Sequence, residues 1–186
     1  MFEILHHGAV TGVTGSCHQL KLNADCSVLI DCGLFQGAEI DDNKSTHENP
    51  LIIEFPLDGI QALVVTHCHI DHVGRIPYLL AAGFKGPIYA SEATAHLLPL
   101  VLADAIKVGI TRDESVINST LNLLKERLIA VPYKQWFDIQ GAENHKLRAK
   151  FHPAGHILGS AYVEFDVHKE RVIFSGDLGA PYSPLL

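Results

Sequence analysis

Hydrophobic and polar positions change their spacing several times along this chain, and each change marks a new element. Gln19–Leu22 and Ser27–Asp31 (SVLID) have the composition of short strands, and Asn23-Ala24-Asp25 between them predicts a hairpin turn. Gly33 and Gly37 then break the chain, and Ala38–Pro50 reads as a polar loop. Ile60–Thr66 (IQALVVT) is a continuous apolar run closing on a polar cluster, the pattern of a buried strand. Gly74–Ala82 (GRIPYLLAA) predicts a short helix stopped at Gly83. Pro87–Ala90 predicts a strand, and Ser91 after it a helix cap. Leu97, Leu98, Val101, Leu102, Ala105 and Ile106 recur at helical spacing, with Pro99 implying either a kink or a helix that begins there. Asp113–Leu128 predicts a second helix with Ile117, Leu121, Leu124 and Leu128 on one face. The pattern returns to strands over Lys146–His152, Ala161–Val167 and Arg171–Ser175. No repeat, low-complexity segment or linker interrupts it, so residues 1–186 read as one α+β domain.

Composition narrows the class. Of 186 residues 47% are hydrophobic and only 19% charged, which excludes a disordered or solvating chain. Lys and Arg number 14 against 21 Asp and Glu, a net charge of −7, which argues against gripping nucleic acid by charge alone. Met1–Val10 has no basic region and no long apolar run, so no signal peptide is expected, and no stretch is long enough for a membrane span. Cys17, Cys26, Cys32 and Cys68 show no CxxC spacing and fit reduced thiols of a cytoplasmic protein. The 12 histidines change the picture most, because imidazole is the commonest metal ligand.

Thr66–Gly74 reads THCHIDHVG, which gathers His67, His69, Asp71 and His72 within six residues. If the backbone stays extended past the Ile60–Thr66 strand, His67 and His69 share one face and Cys68 the other. Two imidazoles spaced so can take one cation, while Asp71 and His72, where the chain turns toward a helix, can reach a second. The alternatives are a solvated polar loop, and Cys68 as a ligand rather than a packed thiol. Three more strand ends carry one ligand-type residue beside glycines: Asp31 before Gly33, His156 after Gly155, and Asp177 between Gly176 and Gly179. A lone Asp in such a place is also a common turn residue. Together they fit one site at the edge of a sheet.

Asp31, His67-x-His69-x-Asp71-His72, His156 and Asp177 stand in the order of the first four motifs of the metallo-β-lactamase superfamily, which this chain resembles. THCHIDHVGRIPYLLAAGFKGPIYASEAT, PAGHILGSAYVEF and VIFSGDLGAPYSPLL are similar to its β-CASP branch of RNA and DNA nucleases, as are GAVTGVTGSCHQL and LIDCGLFQG. The resemblance implies an αββα sandwich and a zinc-dependent phosphodiester hydrolase, in which an activated hydroxide attacks RNA phosphate. It implies His67, His69 and His156 on one zinc, Asp71 and His72 on a second, and Asp177 bridging, with Asp71 and Asp177 the catalytic carboxylates. Asp31 would support the histidine loop without touching metal, a role worth about 10–100-fold in affinity or activity.

The chain departs from the family at its end. In the family a large β-CASP domain follows the Asp177 motif, and the returning chain supplies the last ligand of the second zinc and a proton donor. Leu186 stands before that apparatus, so an incomplete fold with a deficient second site is expected, weak or inactive. Apolar faces left bare would be exposed or covered by self-association. The alternatives are a non-catalytic metal-binding remnant or subunit, and a thioester or lactone hydrolase of the same superfamily. His6, His7 and His18 are expected to pack or face solvent, with an approach of His6 and His7 to the site as the alternative; His47, His96, His145 and His168 to lie on the surface; His152 to be a strand residue. Tyr133–Phe137 (YKQWF) reads as an aromatic cluster at a strand edge rather than a base-stacking platform.

Overall fold

A computed structural model of the chain describes residues 1–37 and 51–180; the polar stretch Ala38–Pro50, with His47, and residues 181–186 lie outside the described residues. Among the described residues the elements run β1 (Glu3–His6), β2 (His18–Asn23), β3 (Cys26–Ile30), β4 (Ile60–Val64), α1 (Ile70–Val73), α2 (Ile76–Ala81), β5 (Ile88–Ser91), α3 (Glu92–Gly109), α4 (Glu114–Arg127), β6 (Leu128–Val131), β7 (Trp136–Asp138), β8 (Arg148–Pro153), β9 (Ala161–Val167) and β10 (Glu170–Phe174). Strands β1 to β6 form one sheet in sequence order, antiparallel from β1 to β3 and parallel from β3 to β6. A second, antiparallel sheet has the order β10-β9-β8-β7.

β3 is buried along its whole length because its sheet is covered on both faces. Val28, Ile30 and Val64 point toward Phe151, Val163 and Phe165 of the second sheet. Leu29, Leu63 and Val65 point the other way, into a core with Ile76, Leu79, Leu98, Leu102 and Leu124 of the helices. Strand alternation thus feeds two cores from one sheet. β9 (AYVEFDV) buries only every second residue, as a strand with one covered face does.

Where the elements differ from the sequence reading, the causes are local. The helix expected over Gly74–Ala82 is α2, beginning at Ile76, and a separate single turn, α1, precedes it and carries Asp71 and His72. The Ser91 hydroxyl accepts from Thr94 N–H at 3.2 Å and caps α3, which continues through Pro99, so Pro99 does not start the helix. Leu98, Leu102 and Ile106 form its buried stripe. α4 stops at Arg127 and Leu128 opens β6 with no loop between them. β1, β6 and β7 are four, four and three residues long, too short for a readable period.

The outer face of the second sheet is charged. Glu164 accepts from Lys150 at 2.9 Å and His152 at 2.8 Å, Asp166 pairs with Arg148, and Arg171 lies 3.5 Å from both carboxylates. The bare apolar face expected from an incomplete fold is therefore not found on this sheet among the described residues. The YKQWF cluster divides between two environments. Phe137 stacks into the core on Phe151, whereas Trp136 lies outward beneath Arg148, Lys150 and Arg171. Among the described residues no helix is long and apolar enough to cross a membrane.

Candidate metal centre

The centre lies where β4, β8 and β10 end. His69 keeps an extended backbone as the residue preceding α1, so His67 and His69 turn to one side and Cys68 is buried on the other. His67 Nε2 lies 3.2 Å from His69 Nδ1, and His156 Nε2 lies 3.1 Å from the same atom. Asp177 joins these three with all ligand atoms within 4.8 Å of one another, a donor set that fits a borderline transition-metal ion. The Asp177 carboxylate faces two ways: Oδ2 lies 3.4 Å from His156 Nε2 and 3.9 Å from His67 Nε2, while Oδ1 lies 3.3 Å from His72 Nε2. Asp71 Oδ2 is 3.9 Å from that same His72 nitrogen. The structure thus brings together all six residues singled out as ligands, in two groups sharing Asp177.

Asp31 stands behind them, buried, with φ +59 in the left-handed region that Asp tolerates better than most side chains. Its Oδ1 accepts from Thr66 N–H, and its Oδ2 accepts from the Thr66 hydroxyl and His72 Nδ1, each at 2.8 Å. A carboxylate at Nδ1 puts the neutral imidazole's proton there and leaves the Nε2 lone pair facing Asp177. The Thr66 hydroxyl, having donated to Asp31, is free to accept from His67 Nδ1 at 3.1 Å, which presents His67 Nε2 to the cluster in the same way. Sequence reasoning missed Thr66, because a threonine before the motif carries no ligand signal.

Backbone contacts hold the loops. Residues 32–34 and α1 exchange hydrogen bonds from Cys32 N–H to His72 O, Leu34 N–H to Ile70 O and Arg75 N–H to Cys32 O, at 2.8, 3.0 and 2.9 Å. Arg75, also missed in the sequence, donates through Nε to Gly33 O at 2.6 Å. Ser160 Oγ accepts from the His156 and Ile157 amides, and Gly159 O accepts from Ser91 and Thr94 hydroxyls at the start of α3. His7 stacks on Phe55 and bonds Gln19. His152 stacks on Tyr162, and His96 and His168 are exposed. His145 is half-buried and lies 3.3 Å from Asn23. His6 and His18 line a cavity of about 350 Å³ that also reaches His72, Asp31 and Asp177.

Burial, reinforced by the neighbouring His72, lowers the His67 pKa to about 4, so this imidazole needs to lose no proton before ligating at neutral pH. Burial acts in the same direction on His72, but its hydrogen bond to Asp31 and the Asp31, Asp177 and Asp71 charges outweigh it and raise the pKa. In metal-free protein the His67 shift makes folding weaker as pH falls from 6.5 toward 4, by up to about 3 kcal/mol, because the unfolded chain takes up the proton first. His72 contributes with the opposite sign: its stabilisation is complete below pH 6.5 and fades as pH rises past its higher folded value. Urea unfolding of metal-free His67→Gln against wild type between these pH values should show a shallower acid loss in the variant.

A two-sheet fold with a histidine and aspartate cluster able to hold a metal at its strand ends defines a class of proteins, and the chain belongs to the metallo-β-lactamase superfamily, whose family model matches residues 10–186. It is 38% identical over 178 residues to ribonuclease TTHA0252 of Thermus thermophilus, covering 95% of this chain and 38% of that protein. It is 32% identical to transcription termination factor FttA of Methanothermobacter thermautotrophicus, covering 96% of this chain and 28% of that protein. With cleavage and polyadenylation specificity factor subunit 3-II of Arabidopsis thaliana it shares 33% identity, over 91% of this chain and 28% of that one. The chain therefore spans well under half the length of these relatives. Among solved structures, zinc-bound PqqB from Methylobacterium extorquens shares the fold at TM-score 0.58 and 12% identity, covering 92% of this chain and 56% of that one.

Proposed function

We propose that this chain carries the metal centre of a zinc-dependent phosphodiester hydrolase of β-CASP type acting on RNA. His67, His69 and His156 would hold one zinc, Asp71 and His72 would hold a second, and Asp177 would serve both. The observation that carries this reading is the split of the Asp177 carboxylate, one oxygen toward His67 and His156 and the other toward His72. Bound there, zinc supplies Lewis acidity and brings the pKa of a coordinated water toward neutrality. The chain's own residues orient and hold. Asp31 and Thr66 fix the imidazole protons on the Nδ1 side of His72 and His67, and Asp71 and Asp177 present carboxylates at the reacting position. RNA is the substrate class because a ribonuclease and a polyadenylation factor subunit stand among the similar proteins. Four free, buried thiols suit a reducing compartment, the cytoplasm.

A second reading, a metal-binding protein without turnover, rests on the Asp71–His72 side, where the described residues place only these two and Asp177. The test is zinc content by elemental analysis together with cleavage of labelled single-stranded RNA, for wild type and Asp177→Ala. At least one zinc per chain and slow, zinc-dependent cleavage are expected, because the described residues place only Asp71, His72 and Asp177 on the second side. Asp177→Ala should abolish the cleavage. Folded wild-type protein without zinc overturns the metal assignment, and zinc retained without cleavage favours the second reading.

A further inference from the structure

Outside the centre, two more histidines converge. β1 and β2 pair with His6 directly opposite His18. The adjacent pair makes a ladder bond, His7 N–H to Cys17 O at 2.8 Å. Antiparallel pairs alternate, so His6 and His18 occupy a non-hydrogen-bonded position, where facing side chains come closest. Their Nδ1 atoms are 2.9 Å apart, with ring centroids at 4.8 Å and planes at 85°. In the main cluster His67–His69 and His69–His156 show the same 4.8 Å centroid distance, at 73° and 88°. The pair thus repeats the ring arrangement of the main donor cluster on a two-strand frame.

Its surroundings suit ligation. His18 stacks on Phe174 with centroids 6.1 Å apart, and its Nε2 lies 3.5 Å from the Ser16 hydroxyl, so the ring is held from both sides. Burial and the adjacent His6 lower the His18 pKa, which favours the neutral imidazole that a cation requires. His6 is exposed, so the pair is open to solvent. The cavity it borders ends on His72 and Asp177.

We propose that His6 and His18 form a separate two-imidazole site for a borderline transition-metal ion such as zinc, at the outer end of this cavity. Two nitrogen donors select such an ion over magnesium or calcium, which prefer oxygen. Water completes the coordination, so the site is weaker and more labile than the three-histidine cluster. It stands independently of the nuclease reading.

Zinc titration of the whole chain tests it, read by imidazole ¹H–¹⁵N correlation spectra and by zinc stoichiometry from equilibrium dialysis. The proteins are wild type, His6→Gln and His67→Ala/His69→Ala. His6 lies on an exposed edge strand, so His6→Gln retains the fold and carries the test even if the double variant does not fold. Wild type should take up one more zinc per chain than His6→Gln. In the double variant that equivalent should persist and shift the His6 and His18 resonances. Equal stoichiometry in wild type and His6→Gln, with His6 and His18 signals unmoved by zinc, would overturn the proposal and leave the pair as a hydrogen bond only.

Discussion

Asp31→Ala is expected to destabilise the protein by about 3–5 kcal/mol and to weaken zinc binding about 10–100-fold. The carboxylate is buried and accepts three hydrogen bonds, from Thr66 N–H, the Thr66 hydroxyl and His72 Nδ1. Alanine leaves all three groups without that acceptor at a buried position. It must also adopt φ +59, which alanine tolerates less well than aspartate. Asp31→Asn separates the two effects. Asparagine keeps the shape and tolerates the backbone, so stability should fall less than in the alanine variant. Its amide nitrogen can donate where the carboxylate oxygen accepted, however, which moves the His72 proton to Nε2 and blocks the nitrogen that faces Asp177. Zinc affinity should therefore drop in both variants while stability separates them. Urea unfolding with and without zinc, joined to isothermal titration, measures both quantities; an asparagine variant with wild-type zinc affinity would contradict the orienting role.

Gly33→Ala is expected to be as severe, through sterics alone. A Cβ at residue 33 would fall 1.6 Å from Asp71 O and 2.8 Å from His72 N. Both are backbone atoms of α1, the turn carrying the proposed ligands of the second zinc, and neither can rotate away. Overpacking a core with flexible side chains costs about 1–3 kcal/mol. Here the bonds from Cys32 N–H to His72 O and Leu34 N–H to Ile70 O would have to part, so a larger loss is expected. Zinc stoichiometry should fall before the fold does, with the three-histidine site retained. Gly37→Ala serves as the control: its left-handed backbone (φ +61) adds modest strain, but among the described residues nothing lies within 4 Å of the added methyl. Thermal unfolding and zinc analysis of the two variants side by side make the comparison.

Much of the site was legible in the chain because its residues are close in sequence or flanked by glycine. His67, His69, Asp71 and His72 fall within six residues, and period-two alternation assigns the first two to one side. Asp31, His156 and Asp177 were visible as polar residues closing apolar runs. Thr66 and Arg75 were not, because their roles consist of bonds to Asp31 and Gly33, more than 30 residues away in the chain. His18 packs on Phe174 as expected, but its contact with His6 was hidden for the same reason, since it crosses a strand pairing whose first strand, β1, has four residues.

Residue types, local spacing and hydrophobic period were enough for the family, the mixed α and β architecture and the six candidate ligands of the main centre, His67, His69, Asp71, His72, His156 and Asp177. The folded arrangement was needed to show which oxygen of Asp177 faces which histidines, which groups the Nδ1 atoms of His67 and His72 meet, and that a charged network covers the outer face of the second sheet. Those properties depend on distances of a few ångströms between segments far apart in the chain. No local pattern encodes such distances, because the packing of the two sheets and the helices creates them.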